Sequence, residues 1–151
     1  MQLNEILIPS GVVTDGMKVR DAFRLCLEAN VPAVPYIDSS GRPAGFISYD
    51  GVMHRGCLPN YIVDMATVLG NQLSCVNDAE AKIREVLDSP VNEYINTPLR
   101  TLSSDSLLIK GLAILEKFSS SYLFVFDGEV YRGVVTSQAI AHHMLQIDGE
   151  N

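Results

Sequence analysis

The chain has 151 residues, 47% of them hydrophobic and 19% charged, a composition that packs a core and excludes a disordered polypeptide. No apolar run is long enough to span a bilayer, and no basic stretch followed by an apolar one opens the chain, so a soluble cytoplasmic protein is expected. The net charge of −7 is uneven, five basic against six acidic residues in 1–56 and six against twelve in the remainder, and it offers no basic footprint for nucleic acid or an anionic membrane surface.

An extended stretch at 11–14 comes first. Thr14 and Asp15 are candidate caps for the helix that follows, whose Val19, Ala22, Phe23 and Cys26 form one stripe at helical spacing. Cys26 on that stripe reads as a small buried hydrophobe. Cys57 and Cys75 are far from it, without CxxC or Cys/His spacing, so no disulfide framework is expected. A hairpin follows, with strands at 33–37 and 44–48 and a turn through 38–41. Pro35 has no N–H, so its strand should begin there or lie at a sheet edge. A helix over about 50–55 closes this first unit.

The next stretch has helical spacing at Leu58, Tyr61, Ile62, Met65, Val68 and Leu69, with Gly70 as a stop. A further helix starts near Asn77, where Glu80 completes a pair resembling a capping box. It carries Ala79, Ile83, Val86 and Leu87 on one side and ends at Asp88-Ser89-Pro90. The stretch lacks the Gly/Ser richness of a flexible linker, and its apolar faces must cover the sheets or a partner chain. Then the first pattern returns. Residues 100–103 are extended, Ser104 and Asp105 are candidate caps, a hairpin runs through 123–126 and 131–136 around Asp127-Gly128, and a helix covers 137–146.

The return is a register, not an impression. At an offset of 89, Ile6 falls on Ile95, Pro9 on Pro98, Val13 on Leu102, Thr14 on Ser103, Cys26 on Leu115 and Asp38 on Asp127. The second hairpin turn is one residue shorter. At an offset of 88, Gly45 then falls on Gly133, Ser48 on Thr136 and His54 on His142. The fold class is therefore α+β: two β-α-β-β-α repeats, 1–57 and 91–148, joined by a helical connection over 58–90. Neither small open sheet can bury enough apolar surface alone, so the two should pack across a pseudo-twofold axis.

The stretch from Val19 through Ala22, Pro35 and Asp38, followed by Gly41-Arg-Pro-Ala-Gly-Phe-Ile-Ser48, resembles the CBS domain family. In the second repeat, residues Asp127 to Thr136 keep the pattern, with Phe124 where the first has Pro35. The chain thus resembles a tandem CBS pair, or Bateman module. That resemblance implies a disc-like unit with two clefts between the repeats, able to hold AMP, ADP, ATP or S-adenosylmethionine as a regulatory ligand and with no cofactor required. It also implies a homodimer that regulates a partner protein.

In ligand-binding relatives the last strand ends in Thr/Ser-x-x-Asp, with the hydroxyl at phosphate and the carboxylate accepting both ribose hydroxyls. Here the first repeat reads Ser48-Tyr49-Asp50-Gly51, the acid one residue early, and the second Thr136-Ser137-Gln138-Ala139, without an acid. Asp50 is a ribose candidate; its bland reading is the N-cap of the next helix. Gln138 is a ribose or base candidate, against a solvated helix start. Val34, Ser121 and Tyr122 stand where the family lines its adenine pocket, and Tyr122 reads equally as packing. Arg55 is a phosphate candidate, against a solvated surface cation. His54 and His142, with His143 beside the latter, lack a carboxylate or Cys partner at helical spacing, so polar helix-end residues are preferred to a metal site. No catalytic motif is visible, and no enzyme is expected. Two functional readings follow: an adenosyl-ligand sensor, kept open by Ser48 and Thr136, and a ligand-free dimerisation or protein-interaction module with degenerate nucleotide sites, favoured by the displaced and missing acids.

Overall fold

The first repeat runs through β1 (Val13–Thr14), α1 (Val19–Ala29), the hairpin β2 (Ala33–Ile37) and β3 (Pro43–Ser48), and α2 (Tyr49–Val52), which continues into a π-helical turn over Met53–Cys57. The computed structural model describes residues 1–57 and 79–149; the helix expected over 58–69, its Gly70 stop and the Asn77 cap lie outside them. After α3 (Ala79–Asp88) the second repeat follows the same order: β4 (Thr101–Leu102), α4 (Leu108–Lys117), β5 (Tyr122–Asp127), β6 (Val130–Thr136) and α5 (Ser137–Ile147). Each repeat forms its own three-stranded sheet, β1-β2-β3 and β4-β5-β6, with a parallel first pair and an antiparallel hairpin. Both hairpins carry the same irregularity, between Tyr36 and Ile37 and between Val125 and Phe126.

Three local expectations are corrected. Pro35 lies in the central strand of its sheet, not at an edge. Its partner Phe46 turns both its N–H and its C=O outward to Asn96, so the Pro35–Phe46 pair exchanges no hydrogen bond. On the other side β1 pairs only with Tyr36 and Ile37. The missing N–H therefore leaves no gap in the ladder. Thr14 and Asp15 do not cap α1, because a turn separates β1 from the helix. The carboxylate of Asp21 instead accepts from the Lys18 N–H at 3.0 Å, and Asp15 accepts from the Tyr36 hydroxyl and from Asn92 Nδ2. Ser104 and Asp105 likewise stand before α4, which begins after Leu107 with no side-chain cap. Ser104 donates its N–H and its hydroxyl to Asp127, at 2.9 and 2.7 Å.

Of the α1 stripe, Val19, Ala22 and Cys26 are buried, and Phe23 is half-buried against the same core. Burial pushes the Cys26 thiol up to about 12, so it stays a neutral, free packing group. The same cluster takes in Val34 and Ile47 of the first sheet and Phe124, Phe126 and Val134 of the second, so the two sheets share a core. On the far side of the second sheet, Leu3 and Ile6 from the chain start join Leu123, Val125, Val135 and Ile140. α3 buries Val86 but leaves Ile83 45% exposed, and Arg20 of α1 pairs with Asp88 at its end, 2.6 Å away. Of its expected apolar side, Val86 and the partly buried Leu87 join the shared core, and the side chain of Ala79 lies outside the described residues.

The repeats are tied by an exchange of edges. Ile8 makes both of its backbone hydrogen bonds with Val134, at 2.8 and 2.9 Å, and Asn96 makes both of its own with Phe46, at 2.8 and 3.0 Å. The segment leading into each repeat thus pairs with the last strand of the other. The repeated glycines make this crossing possible. A Cβ on Gly133 would lie 2.6 Å from the Ile8 oxygen, and one on Gly45 the same distance from the Asn96 oxygen. These bridges also correct the register: up to Ile8 and Asn96 the offset is 88, so Ile6 corresponds to Tyr94 and Ile8 to Asn96, and the Ile6–Ile95 match is one residue out; by Val13 and Leu102 it is 89. No described helix is long and apolar enough to cross a membrane.

Candidate ligand clefts between the repeats

Each final strand passes straight into a helix, and the residue at that junction is its cap. Thr136 Oγ1 accepts from the Ala139 N–H at 3.0 Å, and Ser48 Oγ accepts from the Gly51 N–H at 3.0 Å. Both residues are buried, at 5% and 7% exposure. A hydroxyl that accepts a helix N–H keeps its own proton for an anion, and the helix start adds a positive end. Asp50 does not cap α2. The helix begins at Tyr49, so Asp50 is its second residue and is exposed, as Gln138 is in α5.

Beside Thr136 lies a cavity of about 290 Å³, walled by Ile6 and Ile8 of the opening segment and by Ala139, His142 and His143 of α5. A neighbouring hollow of about 330 Å³ is lined by Pro32 and Tyr49 of the first repeat and Ser121 and Ser137 of the second. The two share Asn30, Thr136 and Gln138, and so form one cleft between the repeats. His143 lines the cavity, and its Nε2 is buried with no hydrogen-bond partner among the described residues.

The pseudo-equivalent positions on the other side are Tyr94, Asn96, Ser48, Gly51 and Arg55, and there the chain's own side chains meet. Arg55 Nη2 donates to the Tyr94 carbonyl at 2.7 Å, and its guanidinium carbon stands 5.6 Å from the centre of the Tyr94 ring. A Cβ on Gly56 would lie 2.6 Å from the Tyr94 hydroxyl, and one on Gly51 would touch Asn96 Nδ2 at 3.4 Å. Arg55 is thus engaged with Tyr94 within its own repeat pair.

The remaining candidates divide. Ser121, Thr136 and Gln138 line the open cleft. Val34 is fully buried in the shared core and lines neither hollow. Tyr122 packs on Phe46 and Phe124, with ring centres 6.1 and 5.7 Å away, and burial raises its phenol above the usual range. It lines a separate small space of about 50 Å³ with Arg100 and Phe118. His54 is exposed in the π-helical turn, and among the described residues no group of three His, Cys, Asp or Glu could hold a metal ion. Sequence reasoning missed Glu5, Ile6 and Asn30. Asn30 closes α1 in the left-handed conformation at φ 55°, a position for which its residue type is a signal.

Residues 7–56 match the family model of the CBS domain. Solved structures extend the likeness over the second repeat. A CBS domain-containing protein from Kribbella flavida superposes with a TM-score of 0.69 at 18% identity, over 95% of this chain and 99% of that one. The chain has the fold of a tandem CBS domain pair. CBSX2 in complex with AMP matches with a TM-score of 0.62 at 20% identity, over 97% of this chain and 98% of that one. The CBS domain pair of protein MJ0100, in complex with 5-methylthioadenosine and S-adenosyl-L-methionine, matches at 0.61 and 16% identity, over 97% and 98%. No curated protein matches the chain in sequence.

Proposed function

We propose that this CBS pair is a regulatory module, cytoplasmic and not catalytic, which binds an adenine nucleotide or another adenosyl ligand in its open cleft and passes occupancy to a partner protein. The cleft itself carries the reading: a hollow between the repeats, walled by both, with the buried Thr136 hydroxyl and the start of α5 facing an anion and Ile6 and Ile8 offering an apolar wall. Solved CBS pairs of the same fold hold AMP, or 5-methylthioadenosine and S-adenosyl-L-methionine. Signalling requires that the ligand favour one arrangement of the repeats over another.

A thermal-shift panel of AMP, ADP, ATP, NADH and S-adenosylmethionine tests the sensor reading. A ligand at a hundredfold excess over its Kd stabilises the fold by about 2.7 kcal/mol, a readily measured rise in Tm. No shift with any of them rejects it.

The second reading, a ligand-free dimerisation module, is favoured by the outer faces of α4 and α5. Ile109 and Ile147 are 70% and 63% exposed, with Leu107, Met144 and Leu145 more than half exposed. An apolar surface of this kind on a small protein suits a second copy of the chain. A homodimer by sedimentation is compatible with both readings, and ligand binding separates them.

A further inference from the structure

Residues 1–8 precede the first repeat in the chain but are held by the second. The N–H groups of Leu3, Asn4 and Ile8 donate to the oxygens of Ser106, Ser104 and Val134 at 2.9, 3.0 and 2.8 Å, and the Met1 oxygen accepts from the Leu108 N–H at 3.0 Å. Leu3 is the pin. It is fully buried in one cluster with Leu115 and Leu123, and α4 makes room for it with Gly111, whose Cβ would lie 3.1 Å from Leu3 Cδ2. Leu3 and Asn4 line neither hollow of the open cleft, whereas Glu5, Ile6 and Ile8 wall its cavity. A 3-10 turn over Leu3–Glu5, with the Ile6 N–H donating to the Leu3 oxygen at 3.1 Å, ties the wall to the pin.

Resting on the adenosyl reading of this cleft, we infer that the docking of residues 1–8 on the second repeat is the conformational equilibrium that cleft occupancy controls. The occupied module holds this strap down, and the empty one releases it. The cause is linkage. The wall made by Ile6 and Ile8 exists only while the strap is docked, so a ligand packed on that wall binds the docked form in preference. Release is a local opening, in which the strap's backbone hydrogen bonds and the Leu3 contact break together while each repeat keeps its own sheet. The duplication supplies an internal control. Segment 91–96 docks on the first repeat through the fully buried Val91 and through Asn96, yet it walls neither hollow.

The test is hydrogen exchange of single amides by NMR, with and without AMP at about a hundredfold excess over its Kd, an excess that lowers the undocked population by up to about a hundredfold. Exchange at Leu3 and Asn4, which lie outside the cleft, should slow by about tenfold or more, while Val91 and Asn96 slow by less than about threefold. Leu3→Ala, which leaves the cleft lining intact, should bind AMP about three- to tenfold more weakly, because less of the docked form is populated. Equal slowing in both segments, or unchanged exchange at Leu3 and Asn4 when AMP binds, overturns the inference and leaves the nucleotide reading standing. So does undiminished affinity in Leu3→Ala. The exchange comparison uses the wild type alone and decides the matter even where that variant does not fold. Failure of AMP to bind the wild type overturns both.

Discussion

The regions around Ser48 and Thr136, one in each repeat, are built from corresponding residues and carry different side chains. Ser48 and Thr136 cap their helices with the same 3.0 Å bond, and Gly45 and Gly133 admit the same crossing strand. The backbone is thus duplicated faithfully. The side chains that fill the space are not. Where one cleft has Ile6, Ile8 and His143, the other has Tyr94, Asn96 and Arg55, and there the arginine donates to the Tyr94 carbonyl and stands beside its ring. Duplication therefore preserves a scaffold under backbone constraint while leaving each site to diverge through two or three side chains.

The largest test of that duplicated scaffold is at its glycines. Gly45→Ala and Gly133→Ala should each cost about 1–3 kcal/mol in urea unfolding, because the added methyl meets a backbone oxygen in both cases, and at Gly45 the Ile95 side chain as well. Gly133→Ala should also weaken AMP, since it displaces Ile8 from the open cleft, whereas Gly45→Ala should not. A neutral alanine at either position would show that the edge exchange is loose. The caps come next. Ser48→Ala and Thr136→Ala should each lose about 1 kcal/mol, with nucleotide affinity falling only in the second. Equal loss of affinity in both would make the clefts equivalent.

Acid sharpens the contrast by a smaller margin. In the first repeat the Tyr36 hydroxyl, and then Asn92, hold the Asp15 carboxyl below its ordinary value. In the second, the Ser104 N–H and hydroxyl do the same for Asp127. A carboxylate with a depressed folded-state pKa contributes stability above its unfolded value of about 3.9. That contribution is lost as pH falls through the lower folded value. Tm should therefore drop as pH falls below about 4, and Asp15→Asn and Asp127→Asn should each flatten the drop in calorimetric scans.

Much of this was legible in the sequence. The hairpins, the α1 stripe and the duplication follow from apolar periodicity and Asp/Gly turns, which depend on near neighbours. What escaped depends on distant ones. Pro35 sits in a central strand because Phe46 turns away to Asn96, a residue 50 positions further on. Asp50 fails as a cap because the helix starts without a turn after β3, which places Ser48 at the junction. The single-residue slip ahead of β4 sets Tyr94, and not Ile95, opposite Arg55. No local pattern announces that slip.

The central claim, one open site per chain, is tested most directly by the stoichiometry of AMP binding in titration calorimetry. One AMP per chain is expected in the wild type, and two once Arg55→His and Tyr94→Ile are combined to remove the Arg55–Tyr94 contact from the first cleft. Two equal sites in the wild type, or a double variant that still binds one, would contradict it.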